Sequence, residues 1–138
     1  MAGMKSWSVT ASDNVLANTG FSMDENMLPS TLNNSIRSLM ADVRKEWAQG
    51  ADIASATPDL SAATGGYLHI TGTTTITSFG TVSAGIRKIL VFDGALQLTH
   101  SANLRCPGSA NKTTAANDTA IFVSEGAGVW RCVSYVTA

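Results

Sequence analysis

The stretch that decides the fold runs from Gly72 to Tyr135: GTTTITSFGTVSAGIRKILVFDGALQLTHSANLRCPGSANKTTAANDTAIFVSEGAGVWRCVSY. Short runs rich in β-branched residues alternate with glycine turns, and Thr, Ser, Ala and Asn fill the spaces between them. The pattern predicts a series of short strands. Tyr67–Thr71 and Thr74–Ser78 flank Gly72, and Ile86–Phe92 is an apolar run long enough for a strand buried on both faces. Asp93-Gly94 reads as a type I′ hairpin turn leading into Ala95–Thr99. Pro107-Gly108 marks another turn, and Thr119–Ser124 and Val129–Val136 are two further strands joined across Glu125-Gly126-Ala127-Gly128. Strict alternation in the last strand places Val129, Arg131, Val133 and Tyr135 on one face, with Trp130, Cys132, Ser134 and Val136 on the other. The expected fold is mainly β with one N-terminal amphipathic helix and an extended N-terminal arm. Its β domain, residues 67–138, is a small β-sandwich or an interleaved multimeric β module.

Outward from that block, residues 50–66 are small and polar without a period, and read as a linker. Before them lies the helix, expected over 30–48. Pro29-Ser30 opens it with Ser30 as N-cap, and Gly50 stops it. Leu32, Ile36, Leu39, Met40, Val43 and Trp47 fall within an arc of about 100° on a helical wheel. That stripe fits packing on the chain's own β domain, and it fits a short bundle around an oligomer axis, because Leu32, Ile36, Leu39 and Val43 step by heptad spacing. Residues 1–28 scatter Trp7, Val9, Phe21 and Met23 among polar residues, too sparsely to make a core. The reading expects this arm to gain order on a neighbouring subunit or larger assembly.

Composition narrows the function. The net charge is −1 and only 14% of the 138 residues are charged. No basic field recruits nucleic acid or anionic membrane, and Arg87-Lys88 is the sole basic pair of the β domain. So little charge, with a mean hydropathy of +0.11, favours an oligomer that hides part of its surface. No apolar run approaches the about 20 residues needed to cross a bilayer, and the beginning of the chain lacks an apolar export segment. Cys106 and Cys132 read as free thiols of a reducing compartment, with a disulfide open if strand register brings them together. Neither these nor His69 and His100 have zinc-ligand spacing. No cofactor and no metal are expected.

No rigid element presents two carboxylates on one face, and no glycine-rich phosphate loop opens a helix. His100, after the Ala95–Thr99 run, is the best general-base candidate, though a histidine at a strand end is ordinarily structural. Trp130 and His100 are the candidate ligand or partner surface, Trp130 also reading as a core or interface anchor. The attachment or oligomer interface is assigned to Trp7, Phe21, Leu32, Ile36, Leu39, Met40, Val43 and Trp47.

Two segments resemble tail fibre and related appendage proteins of tailed bacteriophages. Pro29-Ser30-Thr31-Leu32-Asn33-Asn34-Ser35-Ile36-Arg37-Ser38-Leu39-Met40 is similar to the helix near the N-terminus of such proteins, with Trp7 and Asp13-Asn14 upstream. Gly72–Ser78, Leu98-Thr99-His100, Pro107–Asn111, Asn117–Ala120 and Trp130–Tyr135 resemble a β module that recurs among them. The resemblance implies a non-enzymatic structural virion protein, assembled in the bacterial host cytoplasm as a trimer, whose partners are other virion proteins; it makes the interleaved β module a trimeric one. It implies a short tail fibre or a fibre-anchoring adaptor, since the chain has no shaft. The alternatives are a capsid decoration or head-fibre protein, and a small carbohydrate-binding, receptor-recognising module.

Overall fold

The computed structural model describes residues 28–138, which fall into two units meeting at Trp47/Ala48. In the first, helix α1 spans Pro29–Glu46. Pro29 sits at its first position, where a missing N–H costs nothing. The N-cap is Leu28 in extended conformation, with no side-chain cap, so Ser30 lies inside the first turn rather than at its boundary. Arg44 and Lys45 occupy the last turn, favourable against the negative helix pole. The helix ends at Trp47, before Gly50 is reached.

The second unit is mainly β. A six-stranded mixed sheet has the order β1-β2-β3-β7-β8-β5, and β4 pairs with β6 in a separate ribbon. The strands are β1 (Ile53–Ala54), β2 (Tyr67–Thr71), β3 (Arg87–Phe92), β4 (Gln97–Leu98), β5 (Leu104–Arg105), β6 (Lys112–Thr113), β7 (Thr119–Gly126) and β8 (Val129–Val136). β2 and β3 run parallel, with Tyr67 opposite Ile89 and Ile70 opposite Phe92. β3 and β7 are antiparallel, as are β7 and β8. β5 joins β8 in parallel.

The inner face of the sheet carries Leu68, Ile70, Leu90, Phe92, Phe122 and Trp130, and among the described residues no second large sheet covers it. Cover comes from irregular chain. Leu60, from the segment expected to be linker, and Ile76 and Phe79, from the crossover between β2 and β3, are fully buried in the same cluster. Phe79 meets Phe122 and Trp130 edge-on, with centroids 4.9 and 6.2 Å away. Backbone bonds pin this layer: Leu60 N–H to Phe79 O, Ile76 N–H to Gln97 O and Gly85 N–H to Ser124 O.

Five expectations are corrected here. Residues 50–66 belong to the β unit, since Ile53 and Ala54 pair with Ile70 and Thr71. Gly50 is needed for close approach, as a Cβ there would lie 1.9 Å from the Thr64 carbonyl oxygen. Thr74–Ser78 is no strand and keeps one isolated bridge, Ile76 with Leu98. Asp93-Gly94 makes no hairpin: neither residue has positive φ, and Asp93 N–H bonds Ile70 O instead. The two-residue turn with positive φ at both positions is Ala127-Gly128, at 51° and 79°. β3 is not buried on both faces, because Ile89 is 40% exposed while Lys88 is fully buried and donates to the Gly65 carbonyl. Finally, a register shift between Ile121 and Phe122 interrupts the alternation of β8. Tyr135 consequently stacks on the core residue Phe92, whereas Val136 is exposed.

Candidate functional site

Three places on the described chain present chemistry. The first is α1, whose burial is opposite to that of an ordinary amphipathic helix. Its buried residues are Ser35 and Asp42, at 2% and 1% exposure. Its large apolar residues are open: Leu32 and Ile36 at 47%, Met40 at 65%, Val43 at 38% and Trp47 at 76%. These five occupy one face of the helix, and Leu39 beside them is half-buried. Asp42 accepts a bond from Lys45 Nζ at 3.0 Å on one oxygen. Its other oxygen, Oδ2, has no hydrogen-bond partner among the described residues. Trp7 and Phe21, assigned to the same interface, lie outside the described residues.

The second place is a cavity of about 300 Å³ beside β5 and β8, lined by His100, Ser101, Ala102, Arg105, Cys106, Ser109 and Arg131. The loop before β5 builds it. His100 N–H donates to Asn111 Oδ1 at 2.9 Å, and His100 Nδ1 accepts from Cys106 N–H at 3.1 Å. Because Nδ1 is the acceptor, neutral His100 carries its proton on Nε2. Parallel pairing sets Arg105 beside Arg131, and Glu125 receives both: Arg105 Nη1 at 2.7 Å on Oε2, and Arg131 Nε on Oε1. The Arg131 bond, then the charges of Arg105 and Arg131, hold the Glu125 carboxyl below the usual range against a desolvation cost.

The third place is a surface pair, His69 Nδ1 and Asp93 Oδ1 at 2.6 Å. Among the described residues, no hydrogen bond joins a ring nitrogen of His69 to a serine or cysteine side chain.

Trp130 occupies none of these places. It is fully buried and its Nε1–H donates to Gly80 O at 2.9 Å, which leaves no ring face for a ligand. The structure thus separates the two sequence candidates: His100 lines the cavity and Trp130 fills the core. Arg105, Arg131 and Ser109 were missed. Arginines in strands read as solvated surface in a sequence, and only the pairing of β5 with β8 brings them together. Among the described residues, no group of three His, Cys, Asp or Glu is placed to hold a metal ion. No described helix is long and apolar enough to cross a membrane.

Compared with protein families, curated proteins and solved structures, the chain matches none of them.

Proposed function

We propose that this chain is a non-enzymatic structural protein of a tailed-phage virion, a short tail fibre or fibre-anchoring adaptor that works as a homotrimer. One observation carries the reading: α1 holds its polar Ser35 and Asp42 inside and its apolar stripe outside. An exposed stripe of five large apolar side chains is a surface awaiting a partner. Burying one such side chain is worth about 1.5–3 kcal/mol, so a few of them supply much of an association free energy. The resemblance of Pro29–Met40 to the attachment helices of phage appendages names the kind of partner.

The β unit presents a second, smaller apolar area suited to the next component. Tyr67 and Ile89 are neighbours in register on the outer sheet face and are 39% and 40% exposed. In the trimer, this β2–β3 part of the outer sheet face packs around the axis, at the opposite end of the sheet from β8 and β5. The buried state of Trp130 removes the main support for a carbohydrate-binding reading built on that indole.

Localisation on purified particles by labelled-antibody electron microscopy tests the proposal. Label at the tail or its fibres is the expected result. Label spread over the capsid lattice would transfer the chain to the decoration class, and its absence from particles would end the virion reading.

A further inference from the structure

We infer that the cavity between the His100–Ser109 loop and β8 binds a small acidic ligand, sugar-sized, through a carboxylate or phosphate group held by Arg105 and Arg131. The inference does not rest on the proposed trimer. The polar lining groups are His100, Ser101, Arg105, Ser109 and Arg131, and no carboxylate is among them. Each side chain offers a donor. His100 uses Nδ1 as acceptor, which directs its Nε2–H elsewhere. Ser101 Oγ accepts from the backbone N–H groups of Asn103 and Leu104, at 3.2 and 3.0 Å, and keeps its own hydrogen to give. Each guanidinium has five N–H donors, and the Glu125 contacts occupy one on each.

The charge balance points the same way. Two arginines face one glutamate, so the cluster keeps a formal positive charge of one unit. Glu125, which does not line the cavity, bridges the two guanidiniums, and that lowers the cost of ordering them on a ligand. A side-chain set of this kind satisfies an oxyanion, with fork-like guanidinium bonds to its oxygens, and leaves a cation or an apolar ligand unmatched. The backbone adds a further sign. Gly108 and Ser109 are both left-handed, at φ 69° and 54°. Ser109 pays a conformational penalty there, and such strain collects where a side chain must be aimed at a ligand. The volume, about 300 Å³, is at the small end for ligand pockets and suits one ring.

The test is a titration of the full, ¹⁵N-labelled chain, followed by amide and arginine side-chain NMR, with glucuronate, glucose 6-phosphate and glucose as probes. The expected result is saturable shifts at Ser101, Ser109, Arg105 and Arg131 with a Kd on the order of 1 mM, weakened by added NaCl, and none with glucose. Glucuronate alone active assigns the site to carboxylates, and glucose 6-phosphate alone assigns it to phosphate esters. Arg131→Gln and Arg105→Gln, each at an exposed side chain, weaken binding at least about tenfold while the remaining spectrum is kept. Ala102→Phe narrows the cavity without touching a charge and abolishes binding as well. Equal shifts with glucose, no saturation with either acid, or binding unchanged in both arginine variants would overturn the inference.

Discussion

Replacing Trp130 tests how the core is closed. The indole is fully buried, packs edge-on against Phe79 of the β2–β3 crossover, and donates from Nε1 to Gly80 O in that same crossover. Trp130→Ala removes the largest core side chain and its packing contacts with Phe79, which costs about 3–5 kcal/mol. Trp130→Phe keeps most of the ring but strands the Gly80 carbonyl, costing about 1–3 kcal/mol. A domain of this size loses about 4–8 °C of Tm per kcal/mol. Tm should therefore fall by about 12–40 °C for Ala and about 4–24 °C for Phe. The assay is thermal and urea unfolding of the full chain, followed by far-ultraviolet circular dichroism. A double-mutant cycle with Phe79→Ala should show coupling of about 0.5–1.5 kcal/mol between the rings. If Trp130→Ala stays within about 1 kcal/mol of the parent, well under a core truncation, or if the cycle shows no coupling, the crossover does not close the core and the packing argument fails.

Further outcomes are expected elsewhere. The bond from Tyr135 Oη, then those from the Ala115 and Ala138 N–H groups and the Lys112 charge, hold the Asp118 carboxyl below the usual range against desolvation. A depressed carboxyl stabilises the fold above its unfolded pKa, and that stability is lost as pH falls through the folded value. Unfolding measured between pH 7 and pH 2 should therefore show an acid-side loss that moves to higher pH in Tyr135→Phe and flattens in Asp118→Asn; an unchanged profile in both refutes the assignment. Cys106 and Cys132 are buried free thiols, raised by desolvation, Cys132 to about 11. Their labelling by a disulfide reagent at pH 8 should be slow in the native protein and rapid after unfolding, whereas prompt native labelling would contradict the burial. Gly50→Ala drives a Cβ into the Thr64 carbonyl and should cost about 1–3 kcal/mol in urea unfolding; a neutral substitution would show that the 48–50 and 64–66 segments do not pack closely.

How far the sequence foretold this depends on whether a feature is local or remote. Helix α1 was legible because Pro29, a sustained apolar period and Arg44-Lys45 all lie within one segment. β2, β3, β7 and β8 were legible as β-branched runs between glycines. What a run cannot state is its partner. The parallel pairing of β2 with β3 needs the crossover to leave and return, and nothing in Thr74–Ser78 distinguishes a strand from a buried loop with the same residues. The Asp93-Gly94 signal is sound as turn chemistry, but Phe92 is committed to Asn117 and Asp118 through backbone bonds, so the chain turns away into β4, which pairs with β6. Lys88 counts in the sequence only as half of a basic pair, and its burial depends on a carbonyl 23 positions earlier. Of the candidate surface, His100 was legible as a polar residue at a strand end. Arg105 and Arg131 were not, since their proximity comes from register alone. The direction in which the α1 stripe faces was open between two readings, because a helical wheel says which residues share a side and not which side is covered.

The most direct measurement is the mass of the full chain in solution, by light scattering or native mass spectrometry, alongside Ile36→Asp and Met40→Asp. The account predicts three times the 14.4 kDa chain mass for the parent, and dissociation in both variants with the β unit still folded. A monomeric parent, or a trimer that both charged substitutions leave intact, would contradict it.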